Sequence, residues 1–161
     1  MTRTQVENFR ARSRLIALTI LALAAGAGLL TALHAFVGLP WPGPESAGQW
    51  AAALIRFLPH AAYVYALFAL GAALNRIAGG DLFQPSIALG LRHAGAALAA
   101  GGLYSIFLLT NLLRIAGAIE GGYLHFDVAG LALALTGAAL ILLADLIGRA
   151  ARLEAELDEI V

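Results

Sequence analysis

Cysteine and lysine are both absent from this chain of 161 residues, and charge of either sign is scarce. Without cysteine there is no disulfide, no thiolate metal site, no haem attached through thioethers and no cysteine nucleophile. All ten basic residues are arginine, a mark of genome composition more than of function. Ten acidic residues balance them to a formal net charge of zero. That balance leaves no basic footprint for nucleic acid, and no direct nucleic-acid binding is expected. Charged residues make up only 12% of the chain and hydrophobic ones 61%, whereas a soluble domain carries about 25% and roughly 45–50%. So short a chain cannot hide that much apolar surface from water.

What is present is a set of long apolar runs. A bilayer core of roughly 30 Å needs about 20 apolar residues in a helix rising 1.5 Å per residue. The first such run covers 15–37. The small residues AGAG at 25–28 could pass for a signal-peptide cleavage site, but the apolar stretch continues through Leu29, Leu30, Leu33, Phe36 and Val37. It reads as a retained membrane helix. Residues 38–50 carry three prolines, three glycines and a glutamate, a turn-rich connection bracketed by the interfacial indoles of Trp41 and Trp50. A second span covers 51–74, with Arg56, His60 and Pro59 near its start; the proline either kinks it or marks where the true span begins. Gly79 and Gly80 stop that helix, and Pro85 suits the first turn of the next. Residues 82–93 are amphipathic and read as an interfacial start to helix three. The third span, 94–113, carries no charge. A fourth covers 128–147, and 148–161 reads as a helical tail with an apolar stripe through Leu146, Ala150, Leu153, Leu157 and Ile160. The expected fold is all-α: one polytopic membrane domain over 1–161, an antiparallel four-transmembrane-helix bundle.

The arginines orient it. With the N-terminus inside, Arg3, Arg10, Arg12, Arg14, Arg76, Arg92, Arg149 and Arg152 are inside, and only Arg56 and Arg114 lie outside. The positive-inside bias then places both termini in the cytoplasm, in a cell-inner-membrane topology. In lipid, helices associate through small residues that let backbones approach. The pairs Ala22 and Gly26, Ala97 and Gly101, and Ala134 and Ala138 have the right spacing, although in a chain with 18 glycines such pairs also arise by chance. A homo-oligomer stays open.

Chemistry-bearing residues gather at the ends. His34, His60 and His125 fall near the outer ends of helices one, two and four, where Glu45, Glu120 or Asp127 could add a carboxylate. Imidazoles with a carboxylate are metal or haem ligands, yet the tight His-x-x-x-His spacing is missing, so no metal and no cofactor is expected. Arg56 and Arg114 either snorkel to headgroups or, with those histidines, form a small outer pocket for an anionic ligand. Asp145 is the best ionisable candidate within a span; an ion pair with Arg149, four residues on, or with Arg92 or Arg76 from the neighbouring loop is the plainer reading than a proton relay. Tyr104, Ser105, Thr110 and Asn111 put polar groups on helix three, with Tyr104 and Asn111 seven apart on one face, and tie helices by hydrogen bonds or line a cavity. Tyr63 and Tyr65 on helix two stand ready to meet them. Inside, Arg3, Arg10, Arg12 and Arg14 attract anionic lipid, while the tail carries Glu154, Glu156, Asp158 and Glu159. That acidic stub either lies on the basic N-terminal segment or offers a docking face to a partner.

Two segments carry a resemblance: GGDLFQPSIALGLRHAG at 79–95 and GRAARLEAELDEIV at 148–161. With four apolar spans, the chain resembles the bacterial DUF2975 membrane proteins. Their Gly-x-x-Phe element falls on Gly80 and Phe83, their Leu-Arg-x-x-Gly turn on Leu91, Arg92 and Gly95, and their charged tail on Glu154 to Val161; His93 and the Leu-Asp-Glu-Ile-Val ending depart from the family's usual residues. The resemblance implies no catalytic residue. Some members look to be encoded beside a small helix-turn-helix regulator, which implies membrane-linked regulation at most.

The expected function is therefore a non-catalytic membrane protein that touches lipids and binds or modulates a cytoplasmic or membrane protein partner. Two alternatives stand beside it: an enzyme or ligand-binding protein with a site at the outer interface, and a transport subunit in an oligomer. The latter lacks a second acidic group at mid-membrane.

Overall fold

The computed structural model describes residues 3–37, 47–78, 85–121 and 127–158. Helix α1 runs Arg3–Val37 and α2 runs Ala47–Ala78, unbroken through Pro59. Pro85 opens α3, Pro85–Leu103, which passes through one π turn, Tyr104–Leu108, into α4, Leu109–Ile115. Helix α5 runs Val128–Asp158. The α3–π–α4 stretch is one continuous third span, so four helices are long and apolar enough to cross a membrane. The fold is all-α, a four-helix transmembrane bundle.

Each span is antiparallel to the one before it. Leu21 meets Gly71 and Gly28 faces Val64 between α1 and α2; Ala73 meets Gly90 and Tyr63 meets Gly101 between α2 and α3; Gly95 meets Gly137, and Gly102 meets Gly130, between α3 and α5. The order of packing is α1 on α2, α2 on the third span, and the third span on α5. Among the described residues no other pair of spans makes more than a grazing contact. The bundle is therefore open, with α1 and α5 as its two edges. The start of α1, the end of α2, the start of α3 and the end of α5 lie at one end, the terminal end.

Small residues set the spacing. On α1, Ser13, Ala17 and Ala24 are buried, at steps of four and seven, with Gly28 one turn further on the same stripe. The closest seam is α3 on α5. A Cβ on Gly95 would lie 2.6 Å from the carbonyl oxygen of Gly137, and one on Gly102 would collide with the carbonyl oxygen of Gly130. Without water to drive association, such backbone approach is what gives membrane helices their packing contacts. Toward the terminal end, Ile87 and Leu91 of α3 and Ala144 of α5 form a core that Leu70 and Ile77 of α2 and Leu140 and Ile147 of α5 complete. The amphipathic 82–93 stretch is thus an integral turn of the third span wherever it is described. Leucines on the remaining faces, such as Leu15, Leu30, Leu135 and Leu142, are exposed, as lipid-facing side chains are.

The small-residue pairs divide. Gly101 receives the Tyr63 ring and Ala134 is buried at the α3–α5 seam, but Ala22, Gly26 and Ala138 are exposed, and a Cβ on Gly26 would meet nothing within 4 Å. Away from the terminal end, α4 stops in a Schellman turn: Gly117 takes φ 71, Ala118 N–H donates to Leu113 O and Gly117 N–H to Arg114 O, the bonds that satisfy the last carbonyls of a helix.

Candidate functional site

Pro59 organises the polar groups of the half away from the terminal end. A proline has no N–H, so it deprives the carbonyl four residues earlier of its helical partner. That carbonyl belongs to Ile55, and the hydroxyl of Tyr104, at the start of the π turn, donates to it over 3.2 Å. A broken helix in a membrane survives where a neighbour satisfies the freed group, and here the neighbour is the third span. The π turn itself is closed by Leu109 N–H on Tyr104 O. Such a turn inserts one residue and rotates everything after it by roughly 100°. Tyr104 and Asn111, expected on one face, are separated by it: Tyr104 reaches α2, while Asn111 donates to Phe107 O of its own helix and accepts from Arg114 over 3.3 Å.

Ser105 is the next residue and is buried. Thr19, Thr31 and Thr136 return their hydroxyls to the carbonyl one turn back in their own helices. Ser105 instead donates across the seam to Asp127 Oδ2 at 2.7 Å. Asp127 stands at the N-cap of α5: its carbonyl accepts from Leu131 N–H, and its carboxylate lies over Gly130, where a Cβ would come within 2.7 Å of Oδ2. A carboxylate at a helix N-terminus is favoured by the helix dipole, and here the same carboxylate fastens the start of α5 to the π turn. Tyr63 lies within electrostatic range of Asp127, and its ring meets His60 edge-on at 6.4 Å.

At the terminal end Arg92 of α3 forms an ion pair with Asp145 of α5. Counting back 18 residues from Asp145 to Asp127 gives a rise of about 27 Å, so the pair sits near the edge of a hydrocarbon core of roughly 30 Å. The two side chains are 58% and 42% exposed, and an exposed pair is worth about 0–1 kcal/mol. Asp145→Asn is therefore expected to lower stability by less than about 1 kcal/mol in a denaturant titration of the detergent-solubilised protein. A loss several times larger would mean the pair is desolvated. Arg149, one turn on, is exposed and is not part of the pair. Arg76 donates to Ser86 O at 3.1 Å and ties the end of α2 to the start of α3.

Of the residues considered for an outer ligand site, Arg56, His60 and Arg114 have described side chains. Arg56 and His60 are exposed on successive turns of α2, with His60 Nδ1 3.0 Å from Arg56 O. Arg114 is half-buried on α4 beside Asn111. His34 lies on α1 with its side chain outside the described residues; His125, Trp41, Glu45 and residues 80–83 are also outside them. Among the described residues no three of His, Asp and Glu come together as a metal would require. A groove of about 250 Å³ opens between α1 and α2, lined by Gly28, Thr31, Phe57, Val64 and Phe68 among others. Its lining surface is almost wholly apolar, the Thr31 hydroxyl is bonded to Ala27 O, and no charged residue lines it.

Sequence reasoning singled out Arg92, Asp145, Tyr63, Tyr104 and Ser105, and missed the pairing of Pro59 with Tyr104. The orphaned Ile55 carbonyl was legible from Pro59 alone; its donor, 49 residues away, was not. The pattern that defines the DUF2975 family, described as a protein of unknown function, matches residues 34–161. No curated protein and no solved structure matches the chain.

Proposed function

This chain belongs to the DUF2975 family of multi-pass bacterial membrane proteins, and we propose that it is non-catalytic and works by holding a protein partner against its two edge helices. The observation that carries this reading is that α1 and α5 both outrun the membrane at the terminal end and do not pack on each other. Helix α1 has 35 residues and α5 has 31, about 52 Å and 46 Å at 1.5 Å per residue, against roughly 30 Å of hydrocarbon. What projects from α1 is basic, with Arg3, Arg10, Arg12 and Arg14 against Glu7; what projects from α5 is acidic, with Glu154, Glu156 and Asp158 against Arg149 and Arg152. Arg12, Arg14, Arg149 and Glu156 are exposed and form no ion pair with another described residue. The basic arm also attracts anionic headgroups, while the acidic tail is repelled by them and is left for a protein.

The polar groups within the described spans fit this reading. Tyr104, Ser105 and Asp127 hold helices together, and the hydroxyl that meets a carboxylate, Ser105 on Asp127, is buried at the α3–α5 seam. A photo-crosslinker placed at Arg12 or Glu156 in the native host is expected to capture one stoichiometric polypeptide, and the same group at Ile115 or Val128 is not. Equal capture at all four positions, or none at Arg12 and Glu156, would defeat the proposal.

The positive-inside bias places the arms in the cytoplasm. Because the chain has no cysteine, single-cysteine variants report topology directly. Glu120→Cys is expected to react with a membrane-impermeant maleimide on intact cells, and Asn8→Cys and Glu156→Cys only after permeabilisation. The opposite labelling pattern would invert the topology.

A further inference from the structure

The edges α1 and α5 are complementary to each other in three respects. The first is height. Leu21 meets Gly71, Ala73 meets Gly90, and Gly148 faces Ala88; following these contacts across the row brings Ala17 of α1 level with Gly148 of α5. The basic arm before Ala17 and the mixed, net acidic tail after Gly148 therefore start from the same plane and project to the same side of it. The second is charge: the arm 3–14 carries four arginines and one glutamate, and 149–161 carries four acids and two arginines. The third is direction, since α1 and α5 run antiparallel in a row that alternates at every step. Complementary surfaces on one chain would normally close on each other, yet these two are kept apart by the intervening helices.

We propose, resting on the partner reading above, that the occupant of both edges is a second copy of this chain, with α1 of one protomer against α5 of its partner. A two-fold axis along the membrane normal keeps both copies in the same topology, so the bilayer itself holds the two edges at the same height. The axis generates the contact twice, basic arm on acidic tail each time, and the assembly closes at two copies. A head-to-tail repeat of the same contact would instead grow without limit.

The test uses the absence of native cysteine. Leu18 of α1 and Leu146 of α5 are 57% and 63% exposed and lie toward the terminal end. Leu18→Cys in one tagged copy and Leu146→Cys in a differently tagged copy, co-expressed in the full-length protein, are expected to form a disulfide between the tags on mild oxidation in native membranes. Leu18→Cys paired with Ile115→Cys, at opposite ends, is the negative control. Reversing the tail with Glu154→Arg, Glu156→Arg and Asp158→Arg adds positive charge inside, which the topology tolerates, and is expected to cut the Leu18–Leu146 crosslink at least tenfold. Three results overturn the inference: a crosslink untouched by tail reversal, a two-copy mass whose crosslinks run through α2 or α3 instead, and a single copy bound to a different polypeptide. The last leaves the partner reading standing. A single copy with no polypeptide at all on α1 or α5 removes both.

Discussion

Leucine in place of Gly95 drives α3 and α5 apart. The added side chain begins 2.6 Å from the Gly137 carbonyl oxygen and is hemmed by Ile141, so the obstacle is backbone on a packed helix and cannot turn aside as a flexible side chain would. Overpacking a tight core costs about 1–3 kcal/mol and sometimes more; with backbone on the far side, about 3 kcal/mol or more is expected. The same change at Gly26, which has open space around its Cβ direction, is expected to stay within about 0.5 kcal/mol of wild type. An SDS titration of the detergent-solubilised variants measures the difference. Equal midpoints for Gly95→Leu and Gly26→Leu would mean the α3–α5 seam is not where the fold is held. The comparison is clean because both residues are helical glycines in apolar segments and gain the same apolar surface.

The second large effect is conditional. Tyr104→Phe keeps the ring and removes the donor to Ile55 O. An unsatisfied buried carbonyl costs about 1–3 kcal/mol, and within a bilayer no water is close to replace the phenol. The loss should depend on Pro59, because the carbonyl needs Tyr104 only while proline withholds the N–H that would otherwise occupy it. In a Pro59→Ala background α2 recovers its own bond, and Tyr104→Phe is expected to be at least about 1 kcal/mol milder there. A double-mutant cycle on folding free energy decides the matter. Equal losses in the two backgrounds would mean Tyr104 acts only through its packing. Tyr104 and Ser105 stand at the start of the π turn, one bonded to α2 and the other to Asp127 at the start of α5.

The four spans were legible because insertion depends on local composition: an apolar run long enough to cross is visible without knowing its neighbours. Pro85 at the first position of α3 and the ion-pairing capacity of Asp145 were legible for the same local reason. The seam was not. Ala22 and Gly26 obey the same spacing rule as the residues that are used, yet they face away. Gly95 with Gly102 and Gly130 with Gly137, each seven apart, do the work. In a chain so rich in alanine and glycine the rule is satisfied on many faces, and only tertiary packing selects among them. The π turn was illegible too, and it separated Tyr104 from Asn111 where an ideal helix would have aligned them. The open edge between α1 and α5 depends on the whole row, which no window of sequence contains. At the site level, the two halves of the Pro59–Tyr104 link were each in plain view, but their meeting is a property of the fold.

The central claim is that the basic start of α1 and the acidic end of α5 are docking elements that a second polypeptide occupies. Native mass measurement of the protein released from its own membrane in lipid nanodiscs, wild type beside the tail-reversed variant, tests it most directly. Wild type is expected to carry one further polypeptide in fixed stoichiometry, and reversing Glu154, Glu156 and Asp158 is expected to leave the chain alone at normal abundance. A wild-type protein that flies as a single chain, or a tail-reversed variant that carries the same further polypeptide, would contradict it.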